Sequence, residues 1–222
     1  AVLEEIGHLY PHLDVLVVDD GSHDLTAQIA GEKGAQVVSH GRNLGVAAAI
    51  QTGRVHALSR GYHFIVFCDA DGQHNPADIE LTLTPLIERE ADFVIGSREL
   101  GGYLGKESPL LRLSRRFCSL AISLLTHKRI TDPTSGFKSW NRTVIEYFNV
   151  IYETSNKLHL GTTNDMEEIL LADRKGFRIT EVPARMRYRR GGVSKVYTTE
   201  TLLHFLTVFP LNLIRTVLRN LR

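Results

Sequence analysis

Cysteine is scarce in this sequence: Cys68 and Cys118 are the only two among 222 residues. Two cysteines are too few for a disulfide framework, and Cys68 lies within an apolar run, so both are interpreted as reduced thiols of a cytosolic protein. No run reaches the roughly 20 apolar residues of a membrane-spanning helix, and no signal peptide is recognisable. With 43% hydrophobic and 23% charged residues, the chain has the composition of one large folded domain.

Neither sign of charge is in large excess, since the formal net charge is +1. A general attraction to nucleic acid is therefore not indicated. Residues 182–199 nevertheless contain no acidic residue, and their basic residues are Arg185, Arg187, Arg189, Arg190 and Lys195. This stretch fits a solvated surface, a nucleic-acid patch or a phosphate clamp. Because only Tyr188 and Tyr197 are available to stack on bases, we favour the clamp and expect no nucleic-acid partner.

Short apolar runs alternate with helix-like segments in the first hundred residues. The runs that predict strands are "DVLVVDDG" (14–21), "AQVVSH" (35–40), "HFIVFCDAD" (63–71) and "DFVIGSR" (92–98). Ser22 is expected to cap the helix after the first strand. Such alternation predicts an α/β fold with a mostly parallel sheet and helices on both faces. Ligands of these sheets bind beyond the carboxyl ends of the strands, where both aspartate-rich turns are expected.

The run "FCDADGQHNP" places two aspartates one residue apart at the end of a predicted strand. Asp69 and Asp71 can turn toward one point there, followed by the carbonyl of Gln73. Magnesium binds one or two carboxylates together with substrate phosphates, so this turn is a candidate metal site. A solvated polar turn explains the same residues about equally well. His74 is interpreted as a turn residue, because no histidine or cysteine is spaced with it for zinc.

Other polar positions are ambiguous in the same way. In "DDGS", Asp19 or Asp20 either binds a ribose or base or shapes an ordinary turn, which is favoured. Arg98 either faces a phosphate or lies on the surface. In "DPTSGF", Thr134 and Ser135 either line a phosphate or sugar pocket or belong to a plain turn.

The ordered set of motifs resembles glycosyltransferase family 2. The segments, within residues 14–197, are "VVDDGS", "NLGVAAAIQTG", "DADGQHNP", "DFVIGSR", "DPTSGF", "EVP" and "RRGGVSK". The chain is most similar to the polyprenyl-phosphate sugar transferases of the dolichol-phosphate mannosyltransferase type. The specificity lies in the order and spacing, since no single motif would suffice. The resemblance implies the GT-A nucleotide-diphospho-sugar fold.

The resemblance also implies individual roles. The nucleotide-diphosphate sugar would be contacted by Asp20, Gly21, Ser22, Asp69 and Arg98. The cofactor, Mg²⁺ or Mn²⁺, would be bound by Asp69, Asp71 and Gln73. The side of the polyprenyl-phosphate acceptor would be formed by Arg115, Arg116, Thr134, Ser135 and Ser194. The expected catalytic residues are Asp71, Arg98, Glu167, Arg189 and Lys195.

One departure from the family concerns the first strand. Family members begin with a strand that ends in a Pro-Ala-x-Asn-Glu-like turn, whereas "AVLEEIGHLY" resembles the helix that follows this turn. The strand would lie between those of residues 14–21 and 63–71, which would then lose a hydrogen-bonding partner. We therefore expect an incomplete copy with weak nucleotide affinity.

Two further segments combine basic residues with a broad apolar face. Residues 109–129 and 201–222 are both compatible with helices at a bilayer interface, although packing on the domain explains the first almost as well. We predict a GT-A domain over residues 1–200 and an amphipathic helix over residues 201–222. The protein is expected on the cytoplasmic side of a membrane surface, either peripheral or tethered.

Together these interpretations predict an inverting, metal-dependent transfer of a sugar from a nucleotide sugar to a polyprenyl phosphate. One alternative is a family member that acts on a saccharide acceptor, although no Gln-x-x-Arg-Trp motif of processive synthases is present. The other alternative, from a different class, is a non-catalytic nucleotide-binding remnant.

Overall fold

The computed structural model describes residues 1–102, 109–154 and 164–188. The helices are α1 (Val2–Leu9), α2 (Thr26–Glu32), α3 (Val46–Ser59), α4 (Ile79–Ile87), α5 (Arg98–Gly101), α6 (Pro109–Thr126), α7 (Arg142–Thr154) and α8 (Asn164–Lys175). The strands are β1 (Leu16–Asp19), β2 (Gln36–Ser39), β3 (Phe64–Phe67), β4 (Phe93–Ser97), β5 (Lys138–Asn141) and β6 (Ile179–Pro183). The predicted alternation of strands and helices is confirmed.

Four strands form a mixed sheet in the order β3-β5-β4-β6. β4 and β6 are parallel, whereas β5 runs antiparallel to both β3 and β4. β3, β4 and β6 therefore share the common direction that was expected. β5, which lies between β3 and β4, is the exception. β1 and β2 form a separate parallel pair. The first strand of the family was expected to be missing between β1 and β3. Within the described ranges, β1 and β3 do not pair with each other.

β4 is buried on both faces, in agreement with its apolar sequence. Phe93 and Ile95 contribute to the main core, together with β5, α3, α6, α7 and α8. Val94 packs instead with Leu86 of α4 and with Ala91. Successive side chains of a strand point to opposite faces, so helices cover both sides of the sheet.

α1 packs against the segment that follows β3. Ile6 belongs to a small apolar cluster with Ile79, Phe137 and Ala184. The hydroxyl group of Tyr10 donates to the carbonyl oxygen of Ala77 at 3.2 Å. α1 therefore supports the chain just beyond the predicted metal-binding turn.

A buried ion pair lies inside the main core. Arg54 of α3 donates from Nη2 to Oε1 of Glu168 on α8 at 2.6 Å, and both side chains are 1% exposed. The Cζ atom of Arg54 lies 4.4 Å from the ring centroid of Trp140 and 4.7 Å from that of Phe148. Burial acts to raise the pKa of Glu168, but the charges of Arg54 and Lys138 lower it below its ordinary value. Glu168 is therefore a buried carboxylate that connects α8 to α3.

The helices of the described ranges include none that is both long and apolar enough to cross a bilayer. Residues 201–222, the predicted amphipathic helix, lie outside the described residues. The predicted boundary at residue 200 therefore stays a prediction.

Candidate active site

Asp20 organises the polar turn after β1. Its carboxylate accepts hydrogen bonds from the backbone N–H groups of Leu44 and Gly45 at 2.8 Å each, and its Oδ1 lies 2.7 Å from Nδ1 of His40. Burial acts to raise the pKa of Asp20, but these hydrogen bonds outweigh it and lower the pKa. Asp20, the predicted nucleotide contact, is therefore an ionised group that holds the start of α3 beside the end of β1.

Gly21 allows two backbone segments to approach closely. Its φ is +76°, and a Cβ atom there would lie 2.4 Å from the carbonyl carbon of Arg42. Ser22 is exposed, and its backbone N–H donates to Oδ1 of Asp19 at 3.1 Å. The prediction that Ser22 caps the next helix is wrong, because the turn is closed by Asp19 and α2 begins only at Thr26.

The substitution Gly21→Ala is expected to lower the free energy of unfolding by about 2–3 kcal/mol. Roughly 1–2 kcal/mol comes from the left-handed backbone conformation, and the rest from displacing residues 42–43. Gly34→Ala is the matched control, since Gly34 has φ +81° but no atom within 4 Å of an added Cβ. Urea denaturation measures both variants. Equal losses would show that the close approach at Gly21 is unimportant.

The turn after β3 presents the two predicted metal-binding carboxylates. The Asp69 side chain is 45% exposed. Asp71 accepts a hydrogen bond from the backbone N–H of Gln73 at 2.8 Å, which closes the turn around Gly72 at φ +80°. The backbone carbonyl of Gln73, the predicted third ligand, accepts from the N–H of Arg187 at 2.8 Å. The two carboxylates are therefore the main candidates for binding a cation at this turn.

His74 supports this turn from the buried side. Its ring stacks on Phe137 with 5.1 Å between the ring centroids, and its Nδ1 accepts from the backbone N–H of Asp69 at 2.9 Å. Burial lowers the pKa of His74 to about 4, so the ring is neutral and can accept this bond. The interpretation of His74 as a turn residue agrees with this position.

Arg98 holds the loop of residues 131–137 at the end of β4. Its Nε and Nη2 donate to the two carboxylate oxygens of Asp132 at 2.7 Å each, and Nη2 also donates to Oγ1 of Thr134 at 2.8 Å. Asp132 is completely buried; burial acts to raise its pKa, but the charge of Arg98 lowers it. Arg98, which was expected near phosphates, therefore holds Thr134 directly and is itself fixed by the buried carboxylate of Asp132.

The loop of residues 131–137 is also held by hydrogen bonds to β6 and β4. Glu181 of β6 accepts from the backbone N–H groups of Thr131 and Asp132 at 2.7 and 2.8 Å. Ser135, which was expected on the acceptor side, is instead completely buried. Its hydroxyl group donates to the carbonyl oxygen of Gly96 at 2.6 Å. A buried hydroxyl group needs such a partner, and this one lies in the sheet, so Ser135 fixes the loop.

The two arginines predicted on the acceptor side, Arg115 and Arg116, differ in their surroundings. Arg115 is largely buried and donates to Oε1 of Glu99 at 2.7 Å. Arg116 is exposed. Successive residues of a helix are about 100° apart around its axis. Only Arg115 therefore adjoins the segment that contains Arg98.

Sequence reasoning missed a buried lysine beside the predicted metal-binding turn. Nζ of Lys138 on β5 lies 2.5 Å from Oδ1 of Asp165 and 3.7 Å from Oε2 of Glu168. Burial raises the pKa of Asp165 and the charge of Asp69 adds to this effect, while Lys138 opposes it. Asp165 and Asp69 are thus electrostatic neighbours. In the sequence, the one signal for the buried lysine was the position of Lys138 directly after the motif "TSGF".

Glu167, the predicted catalytic residue, is partly buried in the first turn of α8, which also contains Asp165.

The first part of the basic run is bound to acidic residues. Nη2 of Arg185 lies 2.6 Å from Oδ1 of Asp78, and Nη1 of Arg187 lies 2.7 Å from Oε1 of Glu5. These two arginines attach the run to α1 and to the start of α4, so the clamp interpretation does not describe them. Three predicted site residues lie outside the described residues: Arg189, Ser194 and Lys195.

The donor set fits a hard divalent cation in part. Among the residues that the structure describes, no group of three or more His, Cys, Asp or Glu side chains is placed to hold a metal ion. The carboxylates of Asp69 and Asp71 are nevertheless oxygen ligands of the kind that Mg²⁺ and Mn²⁺ prefer. A cation at this turn would therefore need further oxygens from a bound ligand, such as a diphosphate.

Comparison with known families decides the assignment. The family model described as Glycosyl transferase family 2 matches residues 1–148, well over half of the chain. The chain belongs to this family. This family 2 glycosyltransferase therefore has the GT-A fold that its motifs predicted, as the similarity to solved structures confirms.

Two relatives of this family 2 glycosyltransferase are named as polyprenyl-phosphate sugar transferases. Polyprenol monophosphomannose synthase of Mycolicibacterium smegmatis is 31% identical over 202 residues, which cover 88% of this chain and 74% of the relative. Undecaprenyl-phosphate mannosyltransferase of Micrococcus luteus is 32% identical over 195 residues, which cover 84% and 76%. The predicted resemblance to this group is confirmed.

A solved structure shows the same fold. Glucosyl-3-phosphoglycerate synthase of Mycobacterium tuberculosis, crystallised with Mn²⁺, uridine diphosphate and glucosyl-3-phosphoglycerate, matches with a TM-score of 0.70 over 97% of this chain and 73% of that protein. The sequence identity is 19%, so this likeness concerns the fold alone.

Proposed function

We propose that this glycosyltransferase transfers a sugar from a nucleotide-sugar donor to a polyprenyl phosphate, with Mg²⁺ or Mn²⁺ and with inversion at the anomeric carbon. The observation that carries the proposal is the pair of carboxylates, Asp69 and Asp71, in the turn directly after β3. The names of the two mannosyltransferase relatives support the lipid acceptor. The complex of the structural neighbour with Mn²⁺ and uridine diphosphate supports the cation and the donor class.

On the donor side, the turn of Asp20, Gly21 and Ser22 is proposed to bind the nucleoside. Asp69 and Asp71 would hold the cation, which when bound supplies positive charge that stabilises the departing diphosphate. Lys138 places a further positive charge among the acids beside this turn. That charge limits the repulsion between these acids and an incoming diphosphate.

On the acceptor side, the lipid phosphate itself is proposed as the nucleophile. Its second pKa is about 6, so it is largely ionised near neutral pH and needs no strong protein base. Arg98 donates both to Asp132 and to the hydroxyl oxygen of Thr134, and Thr134 is proposed to face this side. Attack opposite the departing diphosphate inverts the anomeric carbon. Further phosphate contacts are proposed for Arg115, Arg116, Arg189, Ser194 and Lys195. Glu167 is proposed as an acidic catalytic residue.

A lipid acceptor also implies a membrane surface as a partner. We propose that the enzyme is peripheral or tethered on the cytoplasmic side, where nucleotide sugars are available. The basic, apolar segment of residues 201–222 is a candidate for this contact.

A transfer assay tests the proposed function. The purified chain is incubated with GDP- or UDP-linked sugars, a short-chain polyprenyl phosphate and Mn²⁺, and in parallel with EDTA. We expect a lipid-linked sugar of inverted configuration that EDTA abolishes, identified by mass spectrometry and NMR. Retained configuration contradicts the mechanism. Transfer to a saccharide alone supports that alternative, and the absence of both transfer and donor hydrolysis supports the non-catalytic one.

A further inference from the structure

Residues 184–187, called the strap below, directly follow β6 and lie against the end of β4. The backbone N–H of Ala184 donates to the carbonyl oxygen of Ser97 at 3.0 Å. The backbone N–H of Met186 donates to the carbonyl oxygen of Gly102 at 3.1 Å. The strap is therefore attached on one side to the last residue of β4 and to the residue that follows α5.

The other side of the strap is attached to the turn after β3. The backbone N–H of Arg187 donates to the carbonyl oxygen of Gln73 at 2.8 Å, and Met186 forms an isolated antiparallel bridge with His74. Gln73 is in turn bound to the carboxylate of Asp71. Since β5 lies between β3 and β4, the strap joins two segments whose strands are not neighbours in the sheet.

The side chain of Arg187 connects the same turn to α1. Its Nη1 lies 2.7 Å from Oε1 of Glu5, and its Nη2 donates to Oδ1 of Asn75. Asn75 is 6% exposed, and its side-chain oxygen also accepts from the backbone N–H of Ala77 at 3.3 Å. The planar guanidinium group can serve two such partners at once. Arg187 therefore contacts the turn through its backbone and its side chain.

A second arginine of the strap extends this network. The backbone N–H and Nη2 of Arg185 donate to the carboxylate of Asp78 at 2.7 and 2.6 Å. Asp78 is completely buried, and its Oδ1 also accepts from Nδ2 of Asn75 at 3.4 Å. Hydrogen bonds thus run without a break from Glu5 to Arg185. In such a network the loss of one member affects the others.

We propose that Arg187 is a positioning residue, which fixes the carboxylates of Asp69 and Asp71 relative to the segment of Arg98. The inference deepens the proposed function and rests on it for the role of the two carboxylates. Partners of this kind orient metal ligands without binding the cation. A carbonyl oxygen has two lone pairs, so the bond from Arg187 also orients the carbonyl of Gln73.

A role in general stability alone is tested by a matched arginine at the opposite end of β6. Arg178 directly precedes β6, and its backbone N–H and Nη2 donate to the carboxylate of Asp92 at 2.9 Å each. This pair resembles those of the strap, but it lies at the other edge of the sheet from the turn after β3. Arg178→Met is therefore the control for Arg187→Met.

Hydrogen exchange of the full chain, without metal or nucleotide, is the first test. Three backbone N–H groups of the turn donate to side chains of the same turn: those of Asp69, Gln73 and Ala77. In Arg187→Met we expect exchange over residues 69–78 to be roughly tenfold faster, and in Arg178→Met to be unchanged. Peptides from residues 14–39 serve as the reference. Exchange at the parent rate over residues 69–78, or equal acceleration in the reference, overturns the proposal.

Binding of Mn²⁺ is the second test, measured by electron paramagnetic resonance with uridine or guanosine diphosphate present. Arg187→Met should bind Mn²⁺ about tenfold more weakly, whereas Arg178→Met should bind like the parent. In the transfer assay the KM for Mn²⁺ should rise by the same factor, and kcat at saturating Mn²⁺ should stay near that of the parent. Unchanged Mn²⁺ affinity overturns the proposal, whatever the effect on kcat.

A double-mutant cycle tests whether α1 acts through Arg187. Glu5→Gln should weaken Mn²⁺ binding less than Arg187→Met, because glutamine retains an oxygen that accepts from the guanidinium group. The double variant Glu5→Gln/Arg187→Met should bind Mn²⁺ no more weakly than Arg187→Met alone. Additive losses would contradict a network that passes through Arg187.

The two proposals can fail separately. If the parent binds no Mn²⁺ with either nucleotide but Arg187→Met accelerates exchange over residues 69–78, the proposed metal-dependent function is wrong and the positioning of the turn by Arg187 stands. If the parent transfers sugar with Mn²⁺ while Arg187→Met keeps the exchange rates and Mn²⁺ affinity of the parent, the proposed function stands and the role of Arg187 is wrong.

Discussion

Replacing Arg54 with methionine is expected to lower the free energy of unfolding by about 3–5 kcal/mol, the usual cost of removing one partner of a buried ion pair. The substitution removes the 2.6 Å contact with Glu168 and leaves that carboxylate in the core with less compensating charge. It also removes the guanidinium that stacks on Trp140 and Phe148. Urea denaturation at neutral pH measures the loss.

Two further variants separate burial from charge. Arg142→Met is the matched control, because Arg142 pairs with Glu146 four residues later on the exposed side of α7, and such pairs contribute about 0.3–0.5 kcal/mol. Arg54→Met/Glu168→Gln removes the isolated carboxylate and keeps an acceptor for the hydroxyl group of Tyr152. We expect it to be more stable than Arg54→Met alone. If Arg54→Met costs no more than Arg142→Met, the pair does not stabilise the core.

The substitution Asp71→Asn is expected to lower the rate of sugar transfer by roughly 10²–10³, the range observed when one preorganised electrostatic contact to a transition state is lost. Asparagine retains a side-chain oxygen that can accept the bond from the N–H of Gln73, so the turn should remain. It lacks the negative charge that a divalent cation requires at this position. Initial rates over a series of Mn²⁺ concentrations measure the effect.

The matched control for this variant is Asp24→Asn. Asp24 also closes a local turn, accepting from the N–H of Thr26 at 2.9 Å, but it lies outside the candidate site and is exposed. Its rate and its dependence on Mn²⁺ should not change. An Asp71→Asn protein of normal rate and normal Mn²⁺ dependence would remove the central argument for a metal-dependent transferase. A rate loss accompanied by a lower unfolding free energy would instead indicate a role of Asp71 in the turn.

The fold was largely predictable because its strands are short apolar runs between helices with clear ends. β5 and α7 were missed. β5 has the sequence "KSWN", which is only four residues long and polar at both ends, so it carries no alternating pattern that distinguishes a strand from a loop. Its place between β3 and β4 depends on pairing with residues more than 40 positions away.

The candidate site was predictable where neighbouring residues form it and not where distant residues meet. Both polar turns lie at the ends of their strands because Asp20 and Asp69 directly follow apolar runs. The pairing of Arg98 with Asp132 spans 34 positions, and that of Lys138 with Asp165 spans 27. Local sequence patterns do not reveal such pairs, since each charged residue, taken without its partner, looks like an ordinary surface residue. The burial of Ser135 was not predictable for the same reason, because the partner of its hydroxyl group is a backbone carbonyl of β4.

The separation of the β1–β2 pair from the four-stranded sheet affects how a donor would bind. Within the described ranges no strand pairing joins the two sheets, and α3 contacts β1, β3 and α7. The mutual position of these two units therefore depends on side-chain packing, through α3 and through the apolar cluster that contains Val15, Val66 and Phe137. A nucleotide that contacted both Asp20 and Asp69 would hold these two units together. Part of its binding free energy would then be used to restrict the motion of the units relative to each other.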